Sequence, residues 1–271
     1  MEKIRRQERR IAITKILVDH PSQLFSLSFF SGLFIAAKST VCEDVEAIRI
    51  AMEQFGLGKL ETVSGAAGGI KYIPFQSEKR VEEILLDLST KLSAPDRIIP
   101  GGYIFMSDLV FNAHLMSPVG EIFMNRFIAA APDYVMTVET KGIPLAYSTA
   151  RAFNLPLITV RSGSRVTEGP TVSINYVTGS SRRIQTMSLP RRAIPVGARV
   201  LIIDDFMKAG GTARGMVDLA EEVGATVVGI GVLVATAEPA QKLVKDYLPL
   251  LILQAVDEHN KITEIRPAGR N

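Results

Sequence analysis

Residues 199–215, R-V-L-I-I-D-D-F-M-K-A-G-G-T-A-R-G, constrain this chain more than any other stretch. An unbroken apolar run at 200–203 ends in two carboxylates and is followed by Lys208, the pair Gly210 and Gly211, and Thr212. A helical pattern then runs through Met216, Leu219, Ala220 and Val223. That order predicts a buried strand, an acidic loop tip, a phosphate-sized turn and a helix. Amides at the helix start carry the positive end of its dipole, and the glycines remove the Cβ atoms that would keep a phosphate away. It is not a Walker loop, because Lys208 precedes the glycines. Asp204 and Asp205 suit vicinal hydroxyls or Mg²⁺, so acids beside a phosphate turn fit a ribose 5-phosphate better than a bare phosphate.

The segment I-I-D-D-F-M-K-A-G-G-T-A resembles the phosphoribosyl pyrophosphate (PRPP) motif of the type I phosphoribosyltransferases. One departure is Ala209, where many of those enzymes carry Thr or Ser, so one phosphate hydroxyl is missing. The resemblance implies PRPP as ligand, with Lys208 and Ala209 lying in its phosphate loop.

The chain of 271 residues, 47% of them hydrophobic, is long enough for one large or two ordinary domains. No apolar run reaches the ~18 residues of a membrane span, and the basic start leads into no signal-peptide core, so a cytoplasmic protein is expected. The single cysteine, Cys42, excludes an intrachain disulfide and reads as a small buried hydrophobe. His20, His114 and His259 have no metal-site spacing, and no metal ligands are assigned. A net charge of +3 permits a polyanionic partner without requiring one.

The amino terminus is dense in charge, with Ile13, Ile16 and Leu17 giving a helical face that ends before Pro21. A second helical stretch spans 26–37. A third is expected to begin at 39–40, where Thr40 and Glu43 have capping-box spacing, and to bury Val41, Val45, Ile48, Met52 and Phe55. Two β-like runs at 60–63 and 70–73 flank a glycine-rich loop. Three helices followed by a β-ribbon are the layout of a winged helix. In such docking, Lys38, Ser39 and Thr40 would approach base edges, Lys71 would sit on the wing, and Arg5, Arg6 and Arg9 would meet phosphates. A helical interaction or dimerisation module shares this pattern, and the acidic Glu43, Asp44 and Glu46 suit that alternative.

A polar joint at 74–79 divides the chain into domains 1–74 and 75–271. Beyond it, Val81, Ile84, Leu85, Leu88 and Leu92 mark an amphipathic helix stopped by Pro95. Strands at 103–106, 134–138, 157–160, 200–203 and 227–234 then alternate with helices near 118–130, 143–153 and after Thr212. Continuous apolar strands of this kind predict an α/β domain with a parallel sheet covered on both faces and its ligand at the strands' carboxyl ends.

A second anion loop is expected where Thr140, Lys141 and Gly142 cross from strand to helix ahead of Pro144. Arg161, after the next strand, would reach a pyrophosphate. Residues 171–178 and 182–188 alternate around a turn and read as a projecting hairpin, with Arg165, Arg182 and Arg183 making its surroundings basic. Tyr103 and Phe206 are candidates for sandwiching a purine ring, and each would serve equally as a core residue.

The winged-helix start joined to a type I phosphoribosyltransferase-like domain resembles the bacterial purine operon repressors over essentially the whole chain. The segments K-S-T-V-C-E-D-V, V-E-T-K-G-I-P-L-A-Y and T-V-S-I-N-Y-V-T-G-S-S-R-R-I-Q-T-M-S-L carry that likeness beside the acidic motif. It implies a double-stranded DNA operator, PRPP as inducer, a domain that has lost catalysis, a hairpin that closes over PRPP, and a homodimer; whether a purine nucleotide competes is left open. Two other readings are an active purine phosphoribosyltransferase with an appended domain and an RNA-binding regulator, and no stacking motif of the RNP1 kind supports the latter. Replacing Lys38 or Thr40 with Ala is expected to weaken DNA binding and leave PRPP binding intact. If Lys38 meets a phosphate, titrations across salt concentration should show a slope flatter by about one counterion; unchanged affinity in both variants would remove the winged-helix assignment.

Overall fold

The stripe Val41, Val45, Ile48 and Met52 is buried along one face of the longest amino-terminal helix, as its 3–4 residue spacing requires. The computed structural model describes residues 4–65, 67–163, 169–177 and 184–269. Two compact units divide the chain: Met1–Ser77 with Arg151–Asn154, and Glu78–Ala150 with Leu155–Asn271.

In the first unit, α1 (Arg6–Asp19), α2 (Leu27–Phe34) and α3 (Lys38–Phe55) precede the antiparallel ribbon β1 (Lys59–Val63) and β2 (Gly69–Ile73). Phe25 adds an isolated bridge to Ile70, and Ile13, Leu17, Phe30, Leu60 and Ile70 close the core with the α3 stripe. These five elements follow the predicted order, with three corrections. Helix α3 starts at Lys38 behind Ala37 and has no side-chain cap, so Thr40 and Glu43 form no capping box. The cause lies upstream: Ile35 takes a left-handed conformation and Ser31 ties both polar groups of Ala36, which turns the chain into α3 early. Phe55 is 68% exposed in the last turn, ahead of the Gly56 cap. Cys42 faces solvent, because it follows Val41 and therefore sits off the buried stripe.

The side chain of Asp44 on α3 is fully buried, and it accepts from Arg9 Nε at 2.5 Å and Arg10 Nε at 2.9 Å, both on α1. Burial pushes this carboxyl up, but the two guanidinium hydrogen bonds outweigh it and hold it below the usual carboxylate value. A depressed value in the fold means stability that is present above the unfolded value and lost as pH falls through the folded one.

The second unit contains α4 (Glu78–Leu92), a two-stranded ribbon β3 (Ile98–Ile99) and β4 (Tyr103–Ile104), α5 (Ser107–Val110), α6 (Ala113–Phe127), β5 (Tyr134–Val138), α7 (Gly142–Phe153) and β6 (Leu157–Val160). The hairpin β7 (Thr171–Val177) and β8 (Ile184–Pro190) follows, then β9 (Arg199–Met207), α8 (Gly211–Glu222), β10 (Thr226–Thr236), β11 (Tyr247–Asp257) and β12 (Ile262–Pro267). The main sheet runs β12-β11-β10-β9-β5-β6, parallel except for the antiparallel edge strand β12. Residues 103–106 do not join it: Tyr103 pairs only with Ile99 in the small ribbon.

Alternation along β10 shows why both faces are covered. Ile230 and Val232 pack into a core with Met216 and Leu219 of α8, while Gly229 and Gly231 on the other face leave room for the rings of Phe127 and Phe123 of α6. Residues 200–203 are completely buried between β10 and β5. The order of strands reverses between β5 and β9, since β6 lies outside β5 on one side and β10 outside β9 on the other. In open α/β sheets the ligand crevice lies at such a switch point.

Replacing Asp44 with Ala leaves the Arg9 guanidinium buried without its partner, so the first unit should lose about 3–5 kcal/mol. Urea unfolding monitored on the amino-terminal unit checks this, and wild type should lose part of this stability as pH is lowered through and below the carboxylate range.

Candidate ligand site and nucleic-acid interface

Strand β9 continues past the apolar run to Met207, so Asp204 and Asp205 lie within the strand and not in a loop tip. Asp204 pairs in register with Val232 and is 4% exposed, while Asp205 is partly exposed. The Asp205 amide donates to Asp204 Oδ1 at 3.0 Å. Burial drives the Asp204 carboxyl well above the usual carboxylate range, and the charge of Asp205 drives it the same way. Asp205 is also raised by burial, with Asp204 as donor and the Lys141 ammonium pulling it back. The pair therefore holds a proton on Asp204 at a pH where an exposed aspartate has lost it.

These acids open on a cavity of ≈ 630 Å³ that is lined by Lys141, Asp204, Asp205, Phe206 and 208–212, with Tyr103 and Tyr176 among its further walls. Helix α8 starts at Gly211 behind Gly210, whose φ of 82° puts it in the left-handed region that glycine tolerates. Helix α7 starts at Gly142 at the end of the neighbouring strand. A Cβ on Gly142 would lie 2.4 Å from Thr137 Oγ1 and 3.1 Å from Asp204 Oδ1, so only glycine lets the helix start come this close to the acids. Thr137 is fully buried and its hydroxyl has no hydrogen-bond partner among the described residues, so an unsatisfied polar atom adjoins the acid pair.

The residues expected at the second anion loop divide. Lys141 lines the cavity; Thr140, in the same turn, is exposed, and Gly142 is buried behind it. Arg161 is not among the cavity-lining residues, and its backbone bridges Ser188 of β8. The Glu139 carboxylate accepts from the Ser162 amide at 3.1 Å, which turns it toward the end of β6. Arg165, Arg182, Arg183 and the expected hairpin turn lie outside the described residues.

Sequence reasoning missed Tyr176, Gln185, Thr236, Glu238 and Gln254, all of which line the cavity. The Tyr176 hydroxyl donates to Gln185 Oε1 at 2.9 Å across the β7–β8 pair, and burial pushes the phenol up from its ordinary value, with the Thr212 hydroxyl opposing. The alternating pattern of the hairpin was the available signal, but alternation alone does not say which face meets α8.

Among the candidates for DNA contact, Arg5, Lys38 and Ser39 are exposed, Thr40 is half-buried, and Arg6 is 58% exposed while pairing with Glu43 at 3.3 Å. Arg9 is corrected: 7% exposed and bound to Asp44, it joins α1 to α3 and has no surface to offer a phosphate. Lys71 pairs with Glu61 across the ribbon at 3.0 Å. Glu43 and Asp44, awkward on a recognition helix, are largely neutralised by the arginines of α1.

A family model for the bacterial purine repressor amino-terminal domain matches residues 5–74, and one for the phosphoribosyl transferase domain matches 112–264. The purine biosynthesis transcriptional repressor PurR of Bacillus subtilis is 48% identical over 264 residues, covering 97% of this chain and 93% of that protein. The chain belongs to the bacterial purine repressor family. Another relative of this family, from Lactococcus lactis, is 35% identical over 97% of each chain and is named a purine biosynthesis transcriptional activator. Among solved structures, adenine phosphoribosyltransferase of Saccharomyces cerevisiae aligns with a TM-score of 0.54 at 20% identity, over 62% of this chain and 98% of that one. That likeness establishes the second unit as a phosphoribosyltransferase fold, in which β9, the strand that carries the two acids, lies at the centre of the parallel sheet.

The raised Asp204 carboxyl has a consequence for stability: the contribution is intact below the unfolded value of about 3.9 and is lost as pH rises through the higher folded value. Asp204→Asn keeps a donor for Asp205 without that loss. The unliganded variant should melt above wild type at pH 8, by about 2–4 °C for each kcal/mol relieved, and the two melting curves should converge below about pH 4.

Proposed function

We propose that this chain represses purine biosynthesis genes by binding an operator through its amino-terminal unit, and that PRPP bound in the second unit releases it. The reading is carried by one arrangement: an acid pair, a lysine and a glycine-rich helix start line one cavity at the switch point of the sheet. PRPP presents a ribose with two free hydroxyls between a 5-phosphate and a pyrophosphate. In this assignment Asp204 and Asp205 accept from the hydroxyls, and Gly210, Gly211 and Thr212 hold the 5-phosphate at the start of α8. Lys141, with Thr140 and Gly142, takes the pyrophosphate, Arg161 adds charge from the end of β6, and Lys208 lies at the loop's exposed edge. Mg²⁺ would arrive with the pyrophosphate and share Asp205. Tyr103 and Phe206 flank the space a competing purine nucleotide would use.

The sensor reading over the enzymatic one is favoured by the amino-terminal match to a repressor domain, a module that phosphoribosyl transfer does not need. PRPP should therefore bind without being consumed when purine bases and Mg²⁺ are supplied, and pyrophosphate release above a no-protein control would overturn that part. Repression over activation is favoured by the 48%-identical relative, and the functional protein is proposed to be a homodimer.

If PRPP lowers operator affinity, linkage requires DNA to lower PRPP affinity by the same factor, about 5–150-fold for typical couplings. Asp205→Ala removes a ligand contact without touching the amino-terminal unit, so the variant should bind operator normally and ignore PRPP. Operator affinity measured across a PRPP series decides this: release at the wild-type PRPP concentration would show that the acidic motif is not the sensor.

A further inference from the structure

Lysine 242 lies well beyond the acidic motif, in the segment that follows β10, and it holds the phosphate loop from behind. Its ammonium donates to Lys208 O at 2.5 Å, Thr236 O at 2.7 Å and Thr236 Oγ1 at 3.1 Å. The next residue continues the attachment, since the Leu243 amide donates to Ala209 O at 2.9 Å. Thr236 Oγ1 also lies 3.1 Å from Lys208 O. Two successive loop carbonyls are thus tied down on one side. The loop is packed closely there: a Cβ on Gly210 would come within 3.3 Å of the Leu243 amide.

Tying a carbonyl fixes the amide that follows it. In a trans peptide the C=O and the next N–H point in opposite directions, and neither Lys208-Ala209 nor Ala209-Gly210 is cis. With both carbonyls turned toward Lys242 and Leu243, the N–H groups of Ala209 and Gly210 are turned away from them, toward the cavity that these residues line. Adjacent amides aimed to one side form an anion-binding concavity.

The choice of lysine is informative as well. An ammonium has three donors, and all three here meet neutral oxygens. No carboxylate contacts it within ion-pair distance among the described residues, so its charge remains available behind the loop. Burial pushes the Lys242 ammonium down from its ordinary value, opposed by the more distant Glu238.

We propose that Lys242 is a positioning residue for the anion loop: it orients the Ala209 and Gly210 amides toward the ligand phosphate and supplies positive charge behind them. The assignment rests on the PRPP reading above for the natural ligand, but its geometry concerns any phosphate held by residues 208–212.

Lys242→Met retains the stem and removes the donors and charge, whereas Lys242→Arg retains both. Binding of PRPP and, separately, of inorganic phosphate is measured by calorimetry in the full chain, beside operator affinity without ligand and the melting temperature. The Met variant should bind both anions about 10–100-fold more weakly, the loss expected for a charged hydrogen bond, with operator affinity unchanged. The Arg variant should recover most of that loss, which a merely structural filler would not explain. Wild-type anion affinity in a folded Met variant would overturn the proposal, as would equal loss in the Arg and Met variants. Should the Met variant not fold, Thr236→Val removes one contact to the Lys208 carbonyl, and undiminished phosphate affinity in it would count against the loop tether. Wild-type protein that binds inorganic phosphate but not PRPP would refute the PRPP reading while leaving the comparison of phosphate affinities to decide the role of Lys242.

Discussion

Two carboxylates side by side at the buried end of a central strand are unfavourable to fold around, and the second unit is arranged to tolerate them. Residues 200–203 supply the compensation: four fully buried apolar side chains between β10 and β5 anchor the strand whose next residue is a carboxyl of almost no exposure. Burial in turn drives the Asp204 carboxyl well above its ordinary value and raises Asp205 as well, with the Lys141 ammonium pulling Asp205 back. The orphaned Thr137 hydroxyl adds to the unmet polar demand at the same spot.

The two loops that the sequence marks as anion sites are placed by the same sheet. Each begins a helix at the carboxyl end of β5 or β9, where the switch in strand order leaves a crevice and the two helix dipoles add at one place. Glycine at 142 is needed because a single Cβ would enter the space between Thr137 and Asp204. Lys242 and Leu243 complete the arrangement by binding the carbonyls of Lys208 and Ala209.

In the first unit a buried ion cluster does comparable work. Asp44 draws Arg9 and Arg10 onto α3, which sets the position of α1 and removes negative charge from the face that carries Lys38 and Ser39. The basic arm is consequently divided between roles: Arg9 is structural, whereas Arg5 and Arg6 stay accessible. Arg49 reaches Thr62 Oγ1 at 2.7 Å and so links α3 to the ribbon.

Much was legible in the sequence because its signals are local. Apolar runs at 134–138 and 157–160 have the bounds of β5 and β6, and the glycine pair after two acids marks the turn from β9 into α8. Where local cues compete, the reading failed: a capping-box spacing at Thr40 lost to the turn set by Ile35. Tertiary structure alone decided which arginine is buried, which face of the hairpin brings Tyr176 to Thr212, and which lysine backs the loop. Those facts depend on contacts between residues far apart in the chain, 35 positions for Arg9 and Asp44 and 34 for Lys242 and Lys208, and no periodicity or motif spacing encodes a distance of that kind.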